Sequence, residues 1–182
     1  MNMEQRSTFG LALKPGLIIA GGAIAFNLLI WSLTSDLEMQ KYLSWLVYPL
    51  LAYAYYYFTV EYRNNVKEGQ ISYGQSFVFM LLISVVYSVL FSIYYFIFLN
   101  YIDPEMITKM MDMVEQQYYD AGMSEENIEQ ALKYVSYMFS PGLMALMTVF
   151  GGMLSGVIIS LIMSIFTKKE IPIDFNNIQN QN

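Results

Sequence analysis

Residues 69–102 read GQISYGQSFVFMLLISVVYSVLFSIYYFIFLNYI, 34 consecutive positions without an Asp, Glu, Lys or Arg. A soluble helix of that length keeps a charged face toward water, and this stretch has none. The hydrocarbon layer of a bilayer is about 30 Å thick and takes on the order of 20 apolar helical residues to cross. The run is therefore long enough to span and must tilt or project beyond the bilayer. It is continuously apolar instead of alternating, so it reads as a helix and not as a barrel strand.

Three more stretches lack charge altogether: Pro15–Ser35 with 21 residues, Tyr42–Val60 with 19 and Tyr134–Thr167 with 34. The four together hold 108 of the 182 residues, which crowds all 24 charges into the remainder. The fold class that follows is all-α, a four-transmembrane-helix bundle in a single membrane domain over residues 1–170. The spans are placed at about 16–33, 43–60, 77–101 and 142–166. Residues 171–182, rich in Asn and Gln, are read as a disordered tail. Arg6, Lys14 and the sequence Ala23-Ile24-Ala25 imitate a signal peptide. The apolar run continues through Trp31, however, so this segment is read as the first span.

Orientation follows from Lys and Arg. Arg6, Lys14, Arg63, Lys67, Lys168 and Lys169 fall on one side of the spans, against Lys41, Lys109 and Lys133 on the other. The chain is thus read as a multi-pass membrane protein with both termini cytoplasmic. Ten of the fifteen carboxylates then lie outside. Trp31, Tyr42 and Trp45 bracket the first outer loop as interfacial anchors, and Tyr55, Tyr56, Tyr57 and Tyr62 do so where span two meets the cytoplasm.

Residues 103–140, between spans three and four, carry eight carboxylates and two lysines. Asp103 reads as an N-cap with Pro104 at the first helical position. Ile107, Met110, Met111, Val114 and Tyr118 follow at helical spacing, and Gly122 stops the helix. Ser124 starts a second helix with Glu125 and Glu126 at its positive end, and Ile128, Leu132, Val135 and Phe139 form its apolar stripe. The expectation is an extracytoplasmic hairpin of two amphipathic helices, each about 24 Å long. Its apolar faces must be covered by each other, by the span ends, by lipid headgroups or by a partner. The candidate partner surface is Glu105, Asp112, Glu115, Glu125, Glu126 and Glu129.

Small residues recur at every fourth position in the last two spans: Ser84, Ser88 and Ser92 in span three, and Thr148, Gly152, Gly156, Ser160 and Ser164 in span four. Such rows let helix backbones approach closely. They point either to an intramolecular contact between spans three and four or to a homo-oligomer through span four. Asn27, the strong polar group of span one, is expected to form an interhelical hydrogen bond. Gly69 and Gly74 allow a tight turn ahead of span three, and Ser72, Gln75 or Ser76 can cap it.

Cysteine and histidine are both absent from the chain. That removes disulfides, thiol nucleophiles, Cys/His metal sites and the usual near-neutral base. No ionisable residue stands within any of the four spans, where proton relays and ion paths place theirs. The outer carboxylates have no EF-hand spacing, and a net charge of −6 disfavours nucleic acid. The expectation is no enzyme, no catalytic residue, no metal and no cofactor.

The residues leading into span three, Gly69-Gln70-Ile71-Ser72-Tyr73-Gly74-Gln75-Ser76-Phe77, occur together with four other motifs. These are Asp103-Pro104, Gly122-Met123-Ser124-Glu125-Glu126, Ile128-Glu129-Gln130-Ala131 and Ser140-Pro141-Gly142. In that combination the chain resembles domain of unknown function 4199, a family of integral membrane proteins of the Bacteroidetes, over about residues 10–169. The resemblance implies four spans with a helical insertion before the last, and no activity. The leading functional reading is a non-enzymatic scaffold or interaction subunit that works through the acidic hairpin. Its partners are the lipid bilayer and a protein or second copy engaged through span four or the hairpin. The alternative is a component of a small-solute or ion transporter or channel acting as an oligomer, with a path lined by Ser84, Ser88, Ser92 and Asn27.

Overall fold

The structure, a computed structural model, describes residues 7–169. The tail expected over 171–182 lies outside the described residues. The described chain is helical throughout: α1 (Thr8–Leu33), α2 (Leu37–Ser44), α3 (Val47–Val66), α4 (Tyr73–Ile97), α5 (Glu105–Asp120), α6 (Glu125–Met138) and α7 (Pro141–Thr167). A π-helical turn, Phe98–Ile102, extends α4. Three helices are long and apolar enough to cross a membrane: α1, α4 with its π turn, and α7. They mark the chain as a multi-pass membrane protein.

The helix α3 is not among those three. It has the length, but Tyr48, Tyr53, Tyr55, Tyr56 and Tyr57 dilute its apolar character, and Glu61 and Arg63 lie in its last turns. The expected second span also begins differently from the reading at residue 43. Leu43 and Ser44 belong to α2, and the chain bends at Trp45 and Leu46 before α3 starts. Pro49 accounts for the break. Its ring would clash with the carbonyl of residue 45 in a continuous helix, whereas in the first turn of α3 its missing N–H costs nothing. The short polar loop expected between the first two spans, with Asp36, Glu38 and Lys41, is likewise helical from Leu37 onward. Asp36 Oδ1 accepts from the backbone N–H of Glu38 at 2.8 Å and of Met39 at 3.3 Å, a side-chain cap that starts α2.

The other ends follow local chemistry. Ser7 Oγ accepts from the Gly10 amide at 3.1 Å, so α1 begins well ahead of Gly16 and runs through a buried Pro15. Ser72 and Gln75 form a reciprocal capping box at the start of α4. The turn before it uses positive φ at Glu68 (52°) and Gly69 (83°). Gly74, by contrast, lies within α4.

The helix α4 is the central one, packed against both α1 and α7, and α3 closes the remaining side against α7. The core contains Tyr55, Phe79, Met80 and Ile83, all 2% exposed or less. Tyr62 of α3 stacks on Phe79 of α4 with ring centres 4.0 Å apart. At one end of the molecule, Ile71 and Lys169 exchange two backbone hydrogen bonds of 3.0 and 2.9 Å. Arg63 Nη1 donates to the Thr167 carbonyl there at 3.0 Å. These bonds tie the α3–α4 turn to the end of α7.

Candidate functional site

Three features of the structure lie where the sequence directs attention: the α4–α7 seam, the acidic helix pair α5–α6, and a cleft between the long helices.

The seam brings the two small-residue rows together. A β-carbon built on Gly152 would stand 2.7 Å from Ser88 Cβ and 3.5 Å from Ser88 Cα. One built on Gly156 would overlap Ser84. Real β-carbons do not approach so closely, so only glycine permits this backbone spacing. Ser92 Oγ donates across the seam to the Ala145 carbonyl at 2.6 Å, and Tyr73 Oη donates to the Leu161 carbonyl at 3.0 Å. Most of the other hydroxyls bond back to their own helix. Ser84 donates to Leu81, Ser88 to Val85, Thr148 to Met144 and Ser164 to Ser160. Ser160 is fully buried, and its Oγ has no partner among the described residues. The rows lie within one chain, and what α7 turns outward is instead bulky: Phe150, Leu154, Ile158 and Ile165, each more than half exposed.

A second close approach joins α1 to α4, where Ala12, Gly16 and Ala20 recur at the same four-residue interval and are all buried. Gly16 of α1 faces Val86 of α4, where an added β-carbon would stand 2.5 Å from Val86 Cγ1. Asn27 of α1 accepts at Oδ1 from Tyr94 Oη of α4 at 2.7 Å.

The acidic pair is anchored at its base. Asp103 does not cap α5 through its carboxylate; the residue before α5 is Pro104. The π turn ends with the Asp103 amide donating to the Phe98 carbonyl at 2.9 Å. The Asp103 carboxylate meets Trp31 Nε1 at 3.0 Å and Lys109 Nζ at 3.6 Å. Trp31 also packs edge-on against Phe98, with ring centres 5.9 Å apart. The junction thus joins the end of α1, the π turn and α5. Sequence reading identified Asp103 and Trp31 separately, but 72 positions separate them.

Beyond the junction, α5 and α6 lie against each other, with Ile128 buried and Met110, Val114, Leu132 and Val135 half-buried. Gly122 turns the chain between them at φ 76°. Glu105, Asp112, Glu125, Glu126 and Glu129 are exposed, and Glu115 is half-buried. Among the described residues no group of three His, Cys, Asp or Glu side chains could hold a metal ion.

The cleft, about 470 Å³, opens among the second half of α1, the start of α3, α4 and the first half of α7. Its walls are mostly apolar, with Asn27, Lys41 and Ser44 toward one end. Of the small-residue rows, Ser88, Thr148 and Gly152 reach it; Ser84 and Ser92 do not.

Neither the curated proteins nor the solved structures contain a match to this chain. A family described as protein of unknown function (DUF4199) matches residues 14–169, nearly the whole of what has just been described. The chain belongs to that family.

Proposed function

We propose that this protein is a non-enzymatic, four-span scaffold of a bacterial inner membrane whose acidic external helix pair docks a basic protein segment. The observation that carries the reading is the charge of residues 103–140. They hold eight carboxylates and two lysines, and Lys109 is already engaged by Asp103 and Glu105. A compact acidic surface on a rigid base steers and orients a cationic partner. Support for α3 as the fourth span comes from its 20 residues, about 30 Å of helix at 1.5 Å per residue. Its charge is confined to one end, and its contacts with α7, α4 and α1 add to the case. With four spans both termini face the cytoplasm and the acidic pair faces out, in keeping with the Lys and Arg count.

The test is crosslinking and co-purification from native membrane, with the wild type beside a Glu125→Gln/Glu126→Gln/Glu129→Gln triple variant. A defined partner captured by the wild type and lost, or salt-sensitised, in the variant supports the scaffold. Capture that is indifferent to all three substitutions contradicts it. The cleft between the long helices favours one second reading, a subunit of a transport path that includes Asn27 and Ser88. Solute or ion flux in liposomes reconstituted with the purified chain would support that reading instead.

A further inference from the structure

The 470 Å³ cleft does not end at the first half of α7. A second hollow of about 350 Å³ lies under α5 and the end of α6, walled by Met106, Met110, Met113 and Phe139. The two share Asn27, Lys41 and Ser44 as walls. They therefore adjoin, and the groove they outline is apolar on both sides of a polar waist. Volumes of this order match small-molecule sites, which pair apolar walls with a few placed polar groups.

Two features of the waist point to what it takes. Lys41 is exposed and makes no ion pair among the described residues, whereas Lys109 is paired twice. Asn27 uses its Oδ1 for Tyr94, and its Nδ2 has no protein acceptor among the described residues. The waist thus presents a cation and an amide donor, both suited to an anionic oxygen. Trp45 also lines the cleft and is largely exposed, as a tryptophan that anchors at a bilayer interface is. With the long helices in a bilayer, a lipid would meet this site already concentrated and with its head at the interface.

We infer that the groove binds an anionic phospholipid, with its phosphate at Lys41 and Asn27 and one acyl chain in the lobe between α1, α3, α4 and α7. The apolar wall retains the chain, and Lys41 selects the charge. This rests on the membrane placement of the helices and not on the scaffold reading, so loss of partner capture leaves it intact.

The experiment uses the full chain in phosphatidylcholine nanodiscs. The protein has two tryptophans, Trp45 on the lobe between the long helices and Trp31 on the hollow under α5, so both report on the groove without substitution. Phosphatidylglycerol brominated on its acyl chains is titrated in and compared with brominated phosphatidylcholine. The expected result is saturable quenching by the anionic lipid at low mole fraction, against weak linear quenching by the zwitterionic one. Lys41→Gln should raise the half-saturating fraction roughly fivefold, the effect of about one lysine at an anionic surface, and Lys41→Arg should restore it. Gly151 lines the groove, and a β-carbon built on it meets nothing within 4 Å. Gly151→Leu should therefore fill the lobe, abolish the saturable phase and leave thermal stability unchanged. Equal quenching by both lipids, or half-saturation unmoved by Lys41→Gln and Gly151→Leu alike, overturns the inference. Displacement of the anionic phospholipid by an equimolar long-chain fatty acid also overturns it, since the occupant would then be a free carboxylate.

Discussion

Gly152 and Ser88 set the distance between α7 and α4: a β-carbon added to the glycine would stand 2.7 Å from the serine's own. With lipid outside as apolar as the helix surfaces, there is little hydrophobic drive to bring two helices together. Close backbone packing and the hydrogen bonds it permits must hold the seam. The seam is where the fold can be most sharply perturbed by adding single atoms.

Gly152→Ala is expected to destabilise the protein by about 1–3 kcal/mol, the usual cost of overpacking a tight contact, and Gly152→Ile by more. Ser88→Gly removes the opposing β-carbon, so the Gly152→Ala/Ser88→Gly pair should recover part of the loss. Thermal unfolding in detergent reads both effects. Additive losses would show that the two residues are not coupled.

Ser92→Ala removes the hydroxyl that reaches Ala145 across the same seam. Interhelical side-chain bonds of this kind contribute about 0.6 kcal/mol on average in a membrane protein. The expected change is therefore a small drop in unfolding temperature, well below that of Gly152→Ile. Tyr94→Phe, which releases Asn27, should cost a similar amount.

At the base of the acidic pair, Trp31→Phe and Asp103→Ala should each loosen α5 from the end of α1. Hydrogen exchange at the amides of α5 should speed up in both variants. The double variant should exchange little faster than Asp103→Ala alone, because losing the carboxylate already removes the Trp31 contact along with that to Lys109. The amides of the α4–α7 seam should be unaffected.

Much of this architecture was legible before any contact was known, for local reasons. Charge-free runs mark α1, α4 and α7, because a spanning helix leaves no position for solvated charge. Ser72 and Gln75 sit three residues apart, the spacing a capping box requires. The Asp36 cap is equally local yet reads as loop, since α2 is too short to show a period and its polar residues resemble a turn. The break at Trp45 and Leu46 is written in Pro49, whose effect falls four residues upstream of the residue itself. The junction of Asp103 with Trp31, and the approach of Gly16 to Val86, were not legible in this sense. Each depends on two distant segments meeting: Ala12, Gly16 and Ala20 mark a face of α1 by their spacing, but nothing local marks Val86 as what it meets.

The measurement that tests the account most directly uses the absence of native cysteine. Ser35→Cys, Asn65→Cys and Glu129→Cys each place one thiol at an exposed position: between α1 and α2, at the end of α3, and on α6. A membrane-impermeant maleimide is applied to intact spheroplasts and then to opened ones. Four spans with an external acidic pair predict labelling at 35 and 129 in intact spheroplasts, and at 65 only after opening. Positions 35 and 65 labelled from the same side, or 129 protected until opening, would contradict it.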